Sequence, residues 1–113
     1  MTNASRVLDA LGDPTRRRIF EVVSRAPASV ADIAKQVPVS RPAVSQHLRV
    51  LKEAGLVKDR AEGTKRVYRI EHAGLFALRR YLDPFWDSAL DRFKAAVERE
   101  AERTERERKG HAK

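Results

Sequence analysis

Residues 39–57 read VSRPAVSQHLRVLKEAGLV, and this stretch predicts a helix with clear start and stop signals. Ser40 can cap the N-terminus of the helix, and Pro42 fits the first turn, where a missing N–H breaks no hydrogen bond. Gly55 is placed to end the helix, because glycine adopts the backbone conformation that follows many helix C-termini.

The predicted helix has one apolar and one polar face. At about 100° per residue, Val44, Leu48 and Leu51 fall on one side, which predicts contact with a core. The residues that point away from that side are Pro42, Ser45, Gln46, Arg49 and Lys52. In a DNA major groove, Gln is suited to adenine and Arg to guanine, so this face could read bases. Taken alone, however, it is better explained as an ordinary solvated helix surface.

Two further helices are predicted upstream. Asp13 before Pro14 suits an N-cap followed by a first-turn proline, and an apolar stripe follows over residues 19–23. Ser29 and Asp32 have the spacing of a capping box that uses the shorter acid, and their helix ends near Pro38. A tight turn therefore joins this helix to the helix that begins at Ser40.

A β-hairpin is predicted directly after the helix of residues 40–54. Residues 56–60 and 65–70 both alternate in polarity, and the segment between them, 61–64, contains a glycine. Arg60, Lys65 and Arg66 cluster toward the tip, where a wing would contact phosphates or enter a minor groove. A charged hairpin tip without such a role is the alternative, but the position after a helix-turn-helix favours a wing.

The charge distribution favours a polyanionic partner. The 113-residue chain has a net charge of +8 and a pI near 10.4. Residues 1–82 hold 16 Lys and Arg against 8 Asp and Glu, whereas residues 83–113 hold 8 against 8. Because the whole excess lies upstream, we predict a basic DNA-binding body with a neutral appendage. A basic surface without a partner is the less favoured alternative.

Several classes of protein are not indicated. The chain has no run of about 18 apolar residues and no signal-peptide order at its N-terminus, so we expect a cytoplasmic protein without membrane contact. It has no cysteine, which excludes disulfides and thiolate metal sites. No spacing suggests a nucleophile with a base, a carboxylate pair or a metal centre. We therefore expect no enzyme, no catalytic residue and no cofactor.

These segments together resemble the ArsR family of winged-helix repressors. Residues 39–57 are similar to the recognition-helix signature, residues 11–19 to the opening of the family and residues 63–68 to its wing. The resemblance implies a mostly α fold with a small β-hairpin, a winged helix-turn-helix whose terminal helices form a dimer interface. It also implies a homodimeric transcriptional repressor, which we expect to bind an inverted-repeat operator in double-stranded DNA.

The expected DNA-binding residues combine the outward face of the helix, the wing tip and the positions matched by the resemblance. The resemblance implies that Ser45, Gln46 and Arg49 contact the groove and that Arg41 lies near the phosphates. The full expected set is Ser40, Arg41, Pro42, Ser45, Gln46, Arg49, Lys52, Arg60, Lys65 and Arg66. The alternative function is a non-specific architectural DNA-binding protein, which would share the charge without needing side chains that read bases.

The sequence departs from the metal-sensing members of the family. Residues 31–36, which match a Cys-containing motif there, offer one carboxylate and no thiol, and residues 84–109 contain no histidine. His47, His72 and His111 share no ligand spacing. We therefore expect no metal site, whereas the operator sequence and any small-molecule effector are not predicted.

The C-terminal third is the expected site of dimerisation. After Pro84, apolar residues recur at steps of three and four, and residues 82–97 resemble the C-terminal helix of a metal-independent, autorepressor-like branch of the family. Packing within one chain is the alternative. The expected interface residues are Leu8, Leu11, Phe85, Trp86, Ala89, Leu90, Phe93 and Val97. We expect a domain over 1–97 and a charged, frayed or disordered tail over 98–113.

Overall fold

The computed structural model describes residues 3–111 and the side chains of residues 3–110. The fold is mostly α with a small antiparallel sheet, as expected. Its helices are α1 (Asn3–Gly12), α2 (Pro14–Arg25), α3 (Val30–Ala34), α4 (Arg41–Glu53) and α5 (His72–His111). Its strands are β1 (Ala28–Ser29), β2 (Val57–Glu62) and β3 (Lys65–Ile70).

The start signals of α2 and α3 are those that the sequence predicts. A carboxylate oxygen of Asp13 accepts from the backbone N–H of Arg16 at 2.8 Å, and this bond is the main cause that holds the pKa of Asp13 below its usual value. Ser29 and Asp32 form the predicted capping box, with side-chain to backbone distances of 3.2 and 3.4 Å. Hydrogen bonds from Ser29 lower the pKa of Asp32. Both caps satisfy N–H groups that a helix leaves unpaired.

Helix α4 is the predicted central helix, and we call it the reader helix. The hydroxyl of Ser40 caps its start by accepting from the backbone N–H of Ala43 at 3.3 Å. Gly55, with φ of 75°, follows its end in the left-handed conformation that favours glycine. The reader helix therefore has both of the ends that the sequence predicts.

A close backbone contact fixes the chain just after the reader helix. The N–H of Gly74, in the first turn of α5, donates to the carbonyl of Gly55 at 2.9 Å. A Cβ atom on Gly74 would lie 2.8 Å from the carbonyl oxygens of Ala54 and Gly55, so a side chain there would force backbone apart. This contact was not predicted, because the sequence around Gly74 carries no turn signal.

The sheet has one strand more than the expected hairpin. Its order is β1-β3-β2, and all pairs are antiparallel. Strand β1 is two residues long, with Ala28 opposite Tyr68, and a segment this short shows no alternation in sequence. The hairpin turn is also shorter than the expected segment 61–64. Strand β2 continues to Glu62 and β3 begins at Lys65, so the turn consists of Gly63, at φ of 63°, and Thr64. We call the β2–β3 hairpin the wing.

The helices and sheet share one hydrophobic core. Its fully buried side chains come from α1, α2, α3, the reader helix and the start of β2, and they are Val7, Ile19, Val23, Ile33, Val44, Leu48, Leu51, Leu56 and Val57. Residues Leu75 and Leu78 of α5 pack against this core and are partly buried. The reader helix is thus held from behind by the core.

The chain divides into two compact units between Tyr81 and Leu82. The first unit holds α1–α4, the sheet and the start of α5, and the second is the rest of α5. Helix α5 continues through Pro84. Residues 98–110 belong to the same helix and are exposed. The expected boundary at residue 97 stays a prediction, and residues 1–2 and 112–113 lie outside the described residues. Within residues 3–111, no helix is both long enough and apolar enough to span a membrane.

Candidate nucleic-acid interface

The reader helix is anchored on one side and open on the other. Val44, Leu48 and Leu51 are fully buried, as predicted from their spacing. The expected DNA-binding residues of this region are all exposed: Ser40, Arg41, Pro42, Ser45, Gln46, Arg49 and Lys52. The buried side leaves the helix little freedom to rotate, so its outward side chains are held in a fixed direction.

The centre of the outward face carries neutral polar groups that are available to a ligand. Within residues 3–111, neither Ser45 nor Gln46 makes a side-chain hydrogen bond to the protein. Gln46 offers both a carbonyl oxygen and an amide NH₂, the pair of groups that can bond adenine in the major groove. Its hydrogen-bonding capacity is therefore uncommitted.

Arg49 has a partner that it can readily leave. Its Nε lies 3.4 Å from Oε1 of Glu53, one turn along the helix, and the two side chains are 75% and 67% exposed. An exposed pair of this kind is worth little, because water screens both charges. Arg49 can therefore exchange Glu53 for a base or a phosphate at small cost.

Lys52 and Arg66 share a carboxylate that the sequence did not single out. Lys52 Nζ lies 2.7 Å from Oδ1 of Asp59, and Arg66 Nη1 lies 2.9 Å from Oδ2 of the same side chain. The hydrogen bond from Lys52 is the largest cause of a lowered pKa of Asp59, and Arg66 contributes in the same direction. These three residues, the Asp59 cluster, connect the reader helix to both strands of the wing.

A second carboxylate lies within the wing. Glu62 Oε1 accepts from Arg60 at 3.1 Å and from Arg69 at 2.9 Å, and the bond from Arg60 is the main cause that lowers the pKa of Glu62. We call these three residues the Glu62 cluster. The side chain of Lys65, at the wing tip, makes no hydrogen bond or salt bridge to any described residue, and Lys65 is exposed. Arg60 and Arg66 each pair with a carboxylate, so among the described residues Lys65 is the cation of the expected wing set whose side chain forms no salt bridge to an acid.

Sequence reasoning found the cations of this surface but missed their carboxylate partners. One signal was available for the first cluster. Asp59 pairs with Tyr68 across the hairpin, so Arg66 lies diagonally opposite Asp59 on the same face of the sheet. The ion pair from Lys52 had no such signal, because it joins two elements whose packing the sequence does not specify.

The second unit carries a row of exposed apolar side chains. Trp86, Leu90, Phe93 and Val97 follow one another at steps of four, three and four residues, and they are 51–68% exposed. Phe85 and Ala89 are exposed as well. We call Trp86, Leu90, Phe93 and Val97 the apolar row, and its spacing is typical of the contact face of paired helices.

The two interface residues expected in α1 differ in burial. Leu8 is 45% exposed, which leaves it accessible to a partner. Leu11 is partly buried and packs against the core of its own chain. Leu11 therefore already has an intramolecular role.

The histidines and acids whose side chains the structure describes do not converge on a common point. Within the part of the chain that the structure describes, no three His, Cys, Asp or Glu side chains form a group that could hold a metal ion. His47 is half-buried on the reader helix, and after the backbone hydrogen bond from Arg16 it is a minor electrostatic cause of the lowered pKa of Asp13.

Comparisons with known proteins agree with this architecture. A family model described as a helix-turn-helix domain matches residues 11–60. The chain is 50% identical over 99 residues to the HTH-type transcriptional regulator Rv2034 of Mycobacterium tuberculosis, an alignment that covers 88% of this chain and 92% of that protein. It is 36% identical over 59 residues to the transcriptional repressor SdpR of Bacillus subtilis, covering 52% and 66% of the two chains.

Two solved structures show the same fold. An ArsR-like transcriptional regulator from Rhodococcus sp. RHA1 is 34% identical with a TM-score of 0.68, covering 88% of this chain and 92% of that one. The solution structure of the homodimeric winged helix-turn-helix DNA-binding domain Mb0332 from Mycobacterium bovis is 30% identical with a TM-score of 0.60, covering 80% and 83%. These similarities extend from the reader helix and wing into the rest of the chain.

Proposed function

The chain belongs to the ArsR family of winged helix-turn-helix transcriptional regulators, and we propose that it is a repressor that binds an inverted-repeat operator as a homodimer. The observation that carries this proposal is the reader helix. Its inner side is fully buried, while Ser45 and Gln46 face outward with uncommitted hydrogen-bonding groups. A helix fixed in this way can select bases rather than only attract phosphates. Because such a repressor must meet DNA, we place its action in the cytoplasm.

The dimer is supported by the apolar row. Four large apolar side chains on one face of α5 are more than half exposed, and contact with a second copy would remove them from water. The similar domain Mb0332 is homodimeric. Two identical reader helices related by a twofold axis require a DNA site with the same symmetry. We therefore propose half-sites about 10 to 10.5 bp apart, or a multiple of that spacing.

The decisive experiment is selection of bound fragments from random duplex DNA. We expect an inverted repeat to be enriched and to bind one dimer per site. Light scattering at micromolar concentration should give the mass of a dimer, and a monomer bound one per site would overturn the dimeric proposal. If no sequence is enriched and all duplexes bind alike, the alternative of a non-specific architectural protein holds instead.

We further propose that the repressor does not sense metal. The chain has no cysteine, and its histidines, at positions 47, 72 and 111, share no spacing that is typical of metal ligands. Titrations of the selected operator with and without zinc, nickel, cadmium or arsenite should give the same affinity. A tenfold shift with stoichiometric metal, a coupling of about 1.4 kcal/mol, would contradict this proposal.

A further inference from the structure

We propose that Asp59 is a positioning residue that couples the reader helix to the wing and keeps Lys52 and Arg66 from binding phosphates indiscriminately. This inference rests on the proposed function, because it concerns how the repressor distinguishes its operator from other DNA. It adds a role for a carboxylate on a surface that must bind a polyanion.

The Asp59 carboxylate lies between two cations that belong to different elements. Each oxygen of the Asp59 carboxylate has its own cation, Lys52 at 2.7 Å and Arg66 at 2.9 Å. Lys52 belongs to the reader helix, Asp59 to β2 and Arg66 to β3. Both oxygens are thus used, and the contacts join three elements. No other ion pair of the described residues links the reader helix to the wing.

Asp59 and its two partners differ in how far their side chains are exposed to solvent. The Asp59 side chain is 6% exposed, whereas the Lys52 and Arg66 side chains are 57% and 58% exposed. The carboxylate is therefore shielded from solvent and fixed in place, while each cation could turn toward a ligand. A charge held in such a site keeps its partners more firmly than an exposed one does.

The Asp59 carboxylate competes with DNA phosphates for Lys52 and Arg66. A phosphate carries the same charge as a carboxylate and attracts the same Lys and Arg groups. While Asp59 holds both cations, the cluster presents one net positive charge instead of two. Lys52 and Arg66 then contribute less to binding of arbitrary DNA, and the wing keeps its orientation relative to the reader helix. Both effects favour the operator over random sequence.

The Glu62 cluster provides a matched control. Glu62 also holds two cations, Arg60 and Arg69, but all three residues lie on the wing. Asp59→Asn and Glu62→Gln each remove one negative charge and release two cations at nearly constant shape. The two variants differ in whether a link to the reader helix is broken.

The experiment measures each protein on its selected operator and on random duplex at several salt concentrations. In both variants we expect tighter binding to random duplex and a salt slope steeper by about one unit, because one more phosphate contact becomes available. In Asp59→Asn the ratio of operator to random affinity should fall about tenfold, whereas in Glu62→Gln it should stay within about twofold. Equal ratios in the two variants would overturn the coupling.

Two further measurements keep this test decisive. Thermal unfolding shows whether Asp59→Asn still folds. If it does not, Lys52→Met breaks the same link at an exposed position and should lower the ratio, whereas Lys35→Met, the corresponding change on another exposed lysine, should not. An unchanged ratio in Lys52→Met would then overturn the coupling.

A readout without DNA separates this inference from the proposed function. Titration of the Asp59 carboxyl by NMR should give a pKa below the ordinary value of 3.8, and Lys52→Met should raise it while leaving Glu62 unaffected. If the pKa of Asp59 is the same in the wild type and in Lys52→Met, the link between these two residues does not exist. A wild-type protein that prefers no duplex would overturn the proposed function, and the titration would then decide whether the link is present.

Discussion

The reader helix and the part of α5 after Tyr81 are both amphipathic, yet only the first has its apolar side covered within the chain. Leu48 of the reader helix is 0% exposed, whereas Phe93 of α5 is 68% exposed. The reader helix packs against other helices and the sheet, while the apolar row has no such cover among the residues of its own unit. An amphipathic pattern is therefore buried on its apolar side in the reader helix and left exposed on that side in α5.

The difference shows which surfaces one copy completes by itself. A covered apolar side fixes the direction of the polar side opposite, and this is what a base-reading helix needs. An uncovered apolar side leaves free energy to be gained by association. The surface that we propose to read DNA is thus complete in one copy, whereas the apolar row is a surface that a second copy would complete. Substitutions on the two helices should separate these roles.

The largest effect is expected from Leu48→Ala, which removes a fully buried side chain behind the reading face. The free energy of unfolding should fall by about 2 to 5 kcal/mol, because a cavity replaces lost apolar contacts. Denaturant unfolding at fixed protein concentration measures this change. Val50→Ala on the same helix, where Val50 is 37% exposed, should cost clearly less. Similar losses in both variants would contradict the anchored helix.

A somewhat smaller effect is expected from Phe93→Ala in the apolar row. Phe93 should be a main contact between two copies, so dimerisation should weaken by roughly 2 to 4 kcal/mol. Sedimentation across a range of concentrations would show monomers appearing. Lys94→Ala, at the neighbouring exposed position, is the control and should leave the dimer intact. If Phe93→Ala remains a dimer at every concentration, the apolar row is not the interface.

The sequence predicts the reader helix well because its signals are local. Ser40 and Gly55 mark its ends, and the spacing of Val44, Leu48 and Leu51 identifies its buried side. Each of these signals depends on neighbours within a few residues. Local chemistry therefore predicts both the helix and the direction of its outward side chains.

The features that the sequence did not reveal depend on contacts between distant segments. Strand β1 forms because Ala28 meets Tyr68, forty residues along the chain, and two residues carry no period. The need for glycine at position 74 comes from the close approach of the Gly55 backbone, which the local sequence does not indicate. The pairing of the hairpin strands places Arg66 near Asp59, but the bond from Lys52 to Asp59 depends on how the wing packs against the reader helix. The charges were therefore predicted, whereas their pairing was not.

Gln46→Ala tests the reading face that the buried side supports. We expect a loss of about 1 to 3 kcal/mol on the operator and much less on random duplex, because a base contact is removed while the charge stays constant. Titrations against both DNAs measure the two losses. Gln36→Ala, at an exposed glutamine outside the reader helix, should change neither. Equal weakening on both DNAs, with the operator preference intact, would contradict base reading by Gln46.

The smallest effect is expected from Lys65→Ala at the wing tip. Lys65 is exposed and has no salt bridge to the described residues, so its charge is free to meet a phosphate. A phosphate contact carries no sequence information, since every nucleotide offers the same group. Loss of the contact should therefore weaken binding to operator and random duplex by the same factor.

The salt dependence identifies the contact behind that loss. A lysine that neutralises one phosphate also releases its counterion, so the logarithm of the affinity should fall less steeply with the logarithm of salt concentration, by about 0.9 per lysine lost. Lys109→Ala removes the same charge from an exposed position near the end of α5 and should leave the slope unchanged. If both lysines alter the slope equally, general net charge rather than a wing contact governs the affinity. If Lys65→Ala instead weakens only the operator, the wing itself reads sequence, and discrimination is shared between wing and reader helix.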